Sequence, residues 1–135
     1  PVRTTTSRAQ LHEELLEQTR ILLSQVDGTV GIVVPPAMAG HVEETLHRLP
    51  ETDAVRTARQ DDRLLVVTTM QAKGLEYDAA LVVDPEQIVA QSPGGVRVLY
   101  VALTRATQRL VVLGVADSNG QLVDAEPWQQ ALWQE

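Results

Sequence analysis

Few residues of this chain are of types that could do chemistry, and their settings differ. Arg105 closes an apolar stretch, Val98 to Leu103, with no carboxylate three or four residues earlier to pair with it. A guanidinium so placed either satisfies the last carbonyls of a helix or is held for an external anion. Arg109, four residues on, reads as a surface or supporting arginine. Lys73, Gly74 and Glu76 share one short segment between two aliphatic runs. Glycine supplies backbone freedom there, and the two charged residues are either solvated turn residues or groups that face a ligand. Thr68 and Thr69 end the first of those runs. Threonine there is common in strands on propensity alone.

Other searches return nothing. The chain has no GxxxxGK[ST] loop and no GxGxxG: Lys73-Gly74 lacks the preceding glycine, and Pro93-Gly94-Gly95 does not follow a strand directly. The chain is therefore not expected to cradle a nucleotide's phosphates alone. His12, His41 and His47 fall in surface-like helical stretches without a shared i, i+4 metal face, and they read as solvent-exposed histidines. No G-x-S-x-G elbow surrounds Ser24, Ser92 or Ser118. Cysteine is absent, which excludes disulfides, thiolate metal sites and cysteine nucleophiles. No metal site is expected.

The elements that must position these residues follow from periodicity. Ser7 is a candidate helix cap, and Leu11, Leu15, Leu16, Leu22 and Leu23 predict a helix from Arg8 to Gln25 that Asp27-Gly28 stops. Val30–Val34 reads as a buried strand ended by Pro35-Pro36, and a helix is expected from Ala37 to Arg48. Residues 51–62 read as a polar connection with a short strand at Val55. Leu64–Thr69, Ala79–Asp84 and Leu110–Val115 are the further strands; Glu86–Ala90, Val96–Arg105 and Pro127–Gln134 are the further helices, with Asp117–Asp124 a turn-rich connection. Non-alternating aliphatic strands separated by helices indicate an α/β fold with a mostly parallel sheet of about four to five strands. Chemistry is then expected at the strands' carboxyl ends. The whole of residues 1–135 reads as one domain, without repeat or linker.

Composition narrows the class further. With 44% hydrophobic and 21% charged residues the chain is an ordinary globular one, not a disordered one. No apolar run approaches the roughly 20 residues that span a bilayer, and no charged-then-apolar leader opens the chain. A cytoplasmic location without membrane contact is expected. Eleven basic against eighteen acidic residues give a net charge of −7, which opposes independent binding to a polyanion.

Two segments carry a resemblance. Val67 to Asp78 and Leu99 to Ala106 are similar to motifs V and VI of UvrD/Rep-type superfamily 1 helicases, roughly T-x-x-x-x-K-G-L-E-[FY] and Y-V-A-x-T-R-A. The resemblance spans residues 64–114 and extends more weakly back to about residue 30. It implies the C-terminal RecA-like motor domain, a three-layer sandwich, whose partner is an N-terminal RecA-like domain carrying the Walker motifs. It implies ATP and Mg2+ as cofactors, bound mainly by that other domain. On the same ground Arg105 is the arginine finger toward the γ-phosphate, Glu76, Gly74 and Lys73 are nucleotide-binding, and Thr68 and Thr69 contact a nucleic-acid strand.

Two departures bear on the track, which is either DNA or RNA polymerase. Met70 stands where Rep-type proteins have a histidine that contacts nucleic acid, and Pro35 where they carry a second phosphate-sensing arginine. Val83 to Ile88, Ser92 to Gly95 and Leu99 to Leu110 resemble the HelD-like branch, UvrD-like ATPases that act on RNA polymerase. The short span between Val34 and Leu64 lacks the large insertion of Rep-type helicases. The alternative from another class is a noncatalytic interaction module in which both motifs serve only structure. A stand-alone α/β enzyme is disfavoured because no complete site is encoded.

Overall fold

In the computed structural model, which describes residues 2–92 and 94–116, the aliphatic runs pair into a five-stranded sheet. The strands are β1 (Val2–Thr6), β2 (Val30–Val34), β3 (Leu64–Thr68), β4 (Tyr77–Val83) and β5 (Ala106–Val115). All pairings are parallel, in the order β1-β5-β4-β2-β3. The helices are α1 (Leu11–Gln25), α2 (Pro36–His47), α3 (Ala54–Gln60), α4 (Thr69–Ala72), α5 (Pro85–Gln91) and α6 (Val96–Leu103).

Side chains of a strand alternate between faces, so each central strand feeds two cores. Val30, Ile32 and Val34 of β2 join Ala79, Leu81 and Val83 of β4 against Leu15 and Leu22 of α1, Val42 and Leu46 of α2, and Val55 of α3. Val33, Val82 and Val112 point the other way, onto Ala72, Ile88, Leu99 and Ala102 of α4 to α6. The result is the three-layer α/β sandwich that the sequence predicts. Removing a fully buried aliphatic side chain of this kind from water stabilises by about 1.5–3 kcal/mol. β2 and the second half of β4 are buried on both faces, which is why they read as unbroken apolar runs. Arg63 seals one end of the first core: its guanidinium donates to the carbonyls of Gly28 (3.1 Å) and Val26 (3.0 Å), beyond the end of α1.

Several expectations are corrected. The polar start is a strand: β1 pairs with the second half of β5, Val2 opposite Val111 and Thr6 opposite Val115. As an edge strand with only Thr6 buried, it lacks the apolar run that marks the others. The strand expected at Val55 is instead α3. Asp53 caps this helix, its carboxylate accepting from the Val55 N–H at 2.9 Å, and Val55 and Ala58 form its buried face. β5 begins at Ala106, ahead of Leu110, because the ladder with Tyr77 holds the exposed residues Thr107 to Arg109 in line without any core contribution. β3 stops at Thr68, since Thr69 opens α4, and α6 stops at Leu103. Ser7 precedes a 3-10 turn (Arg8–Gln10), and its carbonyl, not its hydroxyl, takes the Gln10 N–H. The expected Asp117–Asp124 connection and Pro127–Gln134 helix lie outside the described residues. Among the described residues no helix is long and apolar enough to cross a membrane.

Candidate functional site

The chain leaves β3 at its carboxyl end and must return to the amino end of β4, because parallel strands cannot be joined by a hairpin. α4 and the segment 73–76 make that return. α6 ends where β5 begins, so its last turn reaches the same edge. Tyr77 pairs with Ala106, and its N–H donates to the Arg105 carbonyl at 2.9 Å. Lys73, Gly74, Glu76 and Arg105 are thereby gathered at the amino ends of β4 and β5.

Gly74 sits at φ +82°, a left-handed conformation that favours glycine, while an added Cβ would meet nothing within 4 Å. The backbone angle alone asks for glycine here. Arg105 is half-buried. Its Nε donates to the Val101 carbonyl at 3.0 Å, Nη1 to the Leu75 carbonyl at 3.3 Å, and Nη2 to Thr104 Oγ1 at 3.4 Å. The guanidinium thus ties the end of α6 to the 73–76 turn. Of the five N–H groups of a guanidinium these bonds engage three, and two remain for an anion. Lys73 and Glu76 are exposed on the same turn. Two cations and an exposed acceptor on one edge have the chemistry to meet a phosphate-bearing ligand with hydroxyls.

Thr68 and Thr69 lie elsewhere. Thr68 caps α4: its hydroxyl accepts from the Gln71 N–H at 3.4 Å, and Gln71 Oε1 accepts from the Thr68 N–H at 2.9 Å. Thr69 is 3% exposed, whereas Met70 beside it is 74% exposed. These residues are level with Val83, since Val34 pairs with Thr68 and Val33 with Val82. Six residues separate Tyr77 from Val83, or about 20 Å of strand. The candidate residues therefore form two groups on opposite edges of the sheet. Only the threonines lie at the carboxyl ends, where chemistry was expected; the group around Arg105 is at the amino ends because both of its segments run into strand beginnings.

A cleft of about 390 Å³ occupies the carboxyl ends of β2 and β4. The chain leaves β2 toward β3 through α2 and α3 on one face, and β4 toward β5 through α5 and α6 on the other, so this is the point where the strand order reverses. Asp84 follows β4 at φ 52°, is 2% exposed, and its Oδ2 has no hydrogen-bond partner among the described residues. Burial pushes its carboxyl above the ordinary range, against the opposing pull of Arg8 and the Gln87 N–H. His12 and His41, expected to be separate solvent-exposed residues, meet here with their Nε2 atoms 2.7 Å apart. Thr45 Oγ1 donates to the His41 carbonyl (3.0 Å) and lies 3.0 Å from His12 Nδ1, which ties the imidazole pair to α2. No spacing in the sequence joins residues 8, 12, 41 and 84; the one local signal is Asp84-Pro85 directly after an aliphatic strand. Among the described residues no three His, Cys, Asp or Glu side chains converge as a metal site.

Comparison with known proteins bears on the Arg105 edge. Residues 63–113 match the family model of the UvrD-like helicase C-terminal domain, a stretch that holds both the 73–76 turn and Arg105. No curated protein matches the chain. Among solved structures, the C-terminal domain of a possible DNA helicase from Lactobacillus plantarum is similar, with a TM-score of 0.61 and 21% identity over 90% of this chain and 75% of that one. In sequence over residues 63–113 the chain resembles the UvrD-like helicase C-terminal domain, and over 90% of its length it shares the fold of that solved domain.

Proposed function

We propose that this chain is the second RecA-like motor domain of a cytoplasmic, ATP-hydrolysing UvrD-like protein. In this reading it completes an ATP site whose phosphate loop and Mg2+ ligands belong to an N-terminal RecA-like domain. The observation that carries the reading is the joining of two distant segments at one edge, where Arg105 bonds the Leu75 carbonyl within the matched stretch. Each residue has a role that its chemistry allows. Arg105 directs its two unengaged N–H groups at the charge that develops on a transferring phosphoryl group. Glu76 accepts from sugar hydroxyls, Lys73 adds a second cation, and Gly74 lets the backbone turn so that both face one way.

The finer reading is a HelD-like protein whose partner is RNA polymerase. It is supported by the β2–β3 connection, residues 35–63, which consists of α2 and α3 with short links, by exposed Met70, and by the charge of −7. A DNA track finds little to hold at the β3 end, where Thr68 is engaged in a cap and Thr69 is buried. One observation favours the noncatalytic module instead: the Val101 and Leu75 carbonyls already give Arg105 a structural task.

Arg105→Ala in the full-length protein decides between them. The motor reading expects ATP turnover to fall by roughly 10³-fold with nucleotide binding retained, and Arg105→Lys to rescue little because a point charge cannot replace the planar fork. Turnover within about threefold of wild type would leave Arg105 a structural residue. Polymerase retention, with an ATPase little stimulated by single-stranded DNA, would support the HelD-like branch; strong, salt-sensitive stimulation without polymerase would reject it.

A further inference from the structure

The cleft between β2 and β4 holds groups that the motor reading does not use. Asp84 forms its floor, with an unpartnered carboxylate oxygen on a residue 2% exposed. The exposed Arg8 stands at its mouth. On the α5 side an amide chain runs from the Ala37 N–H to Gln91 Oε1 (3.1 Å) and from Gln91 Nε2 to Gln87 Oε1 (3.2 Å), which leaves the Gln87 NH2 as its terminal donor. Pro35, Met38 and the joined imidazoles of His12 and His41 supply the apolar and ring surface between.

We propose that this cleft binds a nucleoside monophosphate, at a site separate from the edge that carries Arg105. The cleft is lined by one buried carboxylate and one exposed guanidinium, and that pair selects against simple ions: Asp84 repels an anion, and Arg8 repels a cation. A ligand that satisfies both has N–H or O–H donors for Asp84 and an anionic group for Arg8. A nucleoside monophosphate has both, joined by a flat body that suits a wall of proline, methionine and imidazole. At about 390 Å³ the cleft is of small-molecule size. Its position agrees, because ligands of open α/β sheets sit where the strand order reverses. The left-handed backbone of Asp84, uncommon for a residue other than glycine, also belongs to sites where a group is held for function.

The test is calorimetry and amide NMR on the 135-residue chain with the 5′-monophosphates of adenosine, guanosine, cytidine and uridine. At least one is expected to bind with Kd of about 1 mM or tighter. Adenosine or inorganic phosphate alone should bind at least about tenfold more weakly, because each satisfies only one of the two charged groups. Asp84→Asn, which tolerates the left-handed backbone, and Arg8→Ala should each weaken binding about tenfold while the amide spectrum keeps its dispersion. Arg105→Ala should leave binding unchanged, so this inference and the motor reading fail separately. Competition by a 5′-phosphorylated dinucleotide would identify a strand terminus as the source of the ligand, and its absence a free nucleotide. No saturable binding of any of the four, or binding that survives in both cleft variants, overturns the proposal. So does binding abolished by Arg105→Ala.

Discussion

Gly31→Ala tests the packing that supports the 73–76 turn. Gly31 is a glycine in the middle of a buried strand, where glycine costs about 0.5–1 kcal/mol relative to alanine unless something needs the space. Tyr77 needs it: a Cβ on Gly31 would stand 2.8–2.9 Å from Cγ, Cδ2 and Cε2 of the ring. These atoms include the root of the ring, so a small rotation of a flexible tip cannot relieve the contact. The ring is 2% exposed and packed in the second core, which leaves it no free direction. Overpacking of this kind costs about 1–3 kcal/mol, against about 0.4–1 kcal/mol recovered from the less flexible unfolded chain. A net loss of about 1–2 kcal/mol is expected, or about 4–7 °C in Tm for a domain of this size. The assay is thermal melting by circular dichroism, repeated in a Tyr77→Ala background. There the added methyl should be neutral or stabilising by a few tenths of a kcal/mol, giving a coupling energy of about 2 kcal/mol. A Gly31→Ala chain that melts at or above the wild-type temperature, or a zero coupling, would refute the reasoning. Because Tyr77 follows Glu76 directly, the proposed motor function adds the expectation that the same substitution in the full-length protein lowers ATP turnover through the displaced turn.

Two further substitutions read the electrostatics. Tyr77→Phe removes a buried hydroxyl that has no partner among the described residues, so stability should hold or rise by about 1 kcal/mol, and a loss of that size in a urea titration would refute this. Burial raises the Tyr77 phenol above its ordinary 10.0, against the nearby Arg105 charge; the unfolded chain then ionises first, and wild type should lose stability relative to Tyr77→Phe as pH rises past that value. At Asp53 burial raises the carboxyl, but the Arg20 bond and the Val55 N–H outweigh it and hold it below the ordinary 3.8. Its contribution is therefore present above that value and lost as pH falls through the lowered one. Asp53→Ala should lose about 1 kcal/mol at neutral pH and progressively less below pH 3.8, and a pH-independent difference would reject the cap's charge as the cause.

Patterns of burial were legible in the sequence wherever burial was the reason for an element. Val30–Val34 and the aliphatic stretch around residue 81 announced a parallel sheet because both faces of each strand are covered, and the edge strand at residue 64, buried only at Leu64, was legible from its aliphatic residues alone. The grouping of Lys73, Gly74 and Glu76 with a later Arg105 was legible as a motif, without any indication of its edge. β1 was not legible, because an edge strand is held by its backbone ladder and Val2 to Thr5 bury no side chain. Nor was α3, whose seven residues offer one apolar turn and a cap that resembles any polar loop. By itself, then, the sequence determined the layered α/β class, the positions of β2 to β5 and the residues of the Arg105 turn, since local periodicity and backbone-limited glycine report directly on chain conformation. Only the tertiary structure decided that Arg105 meets that turn at the amino edge, that Thr68 lies about 20 Å away, and that Arg8, His12, His41 and Asp84 share one cleft. Parallel crossovers bring together strand ends far apart in sequence, and hydrophobic pattern carries no record of which ends those are.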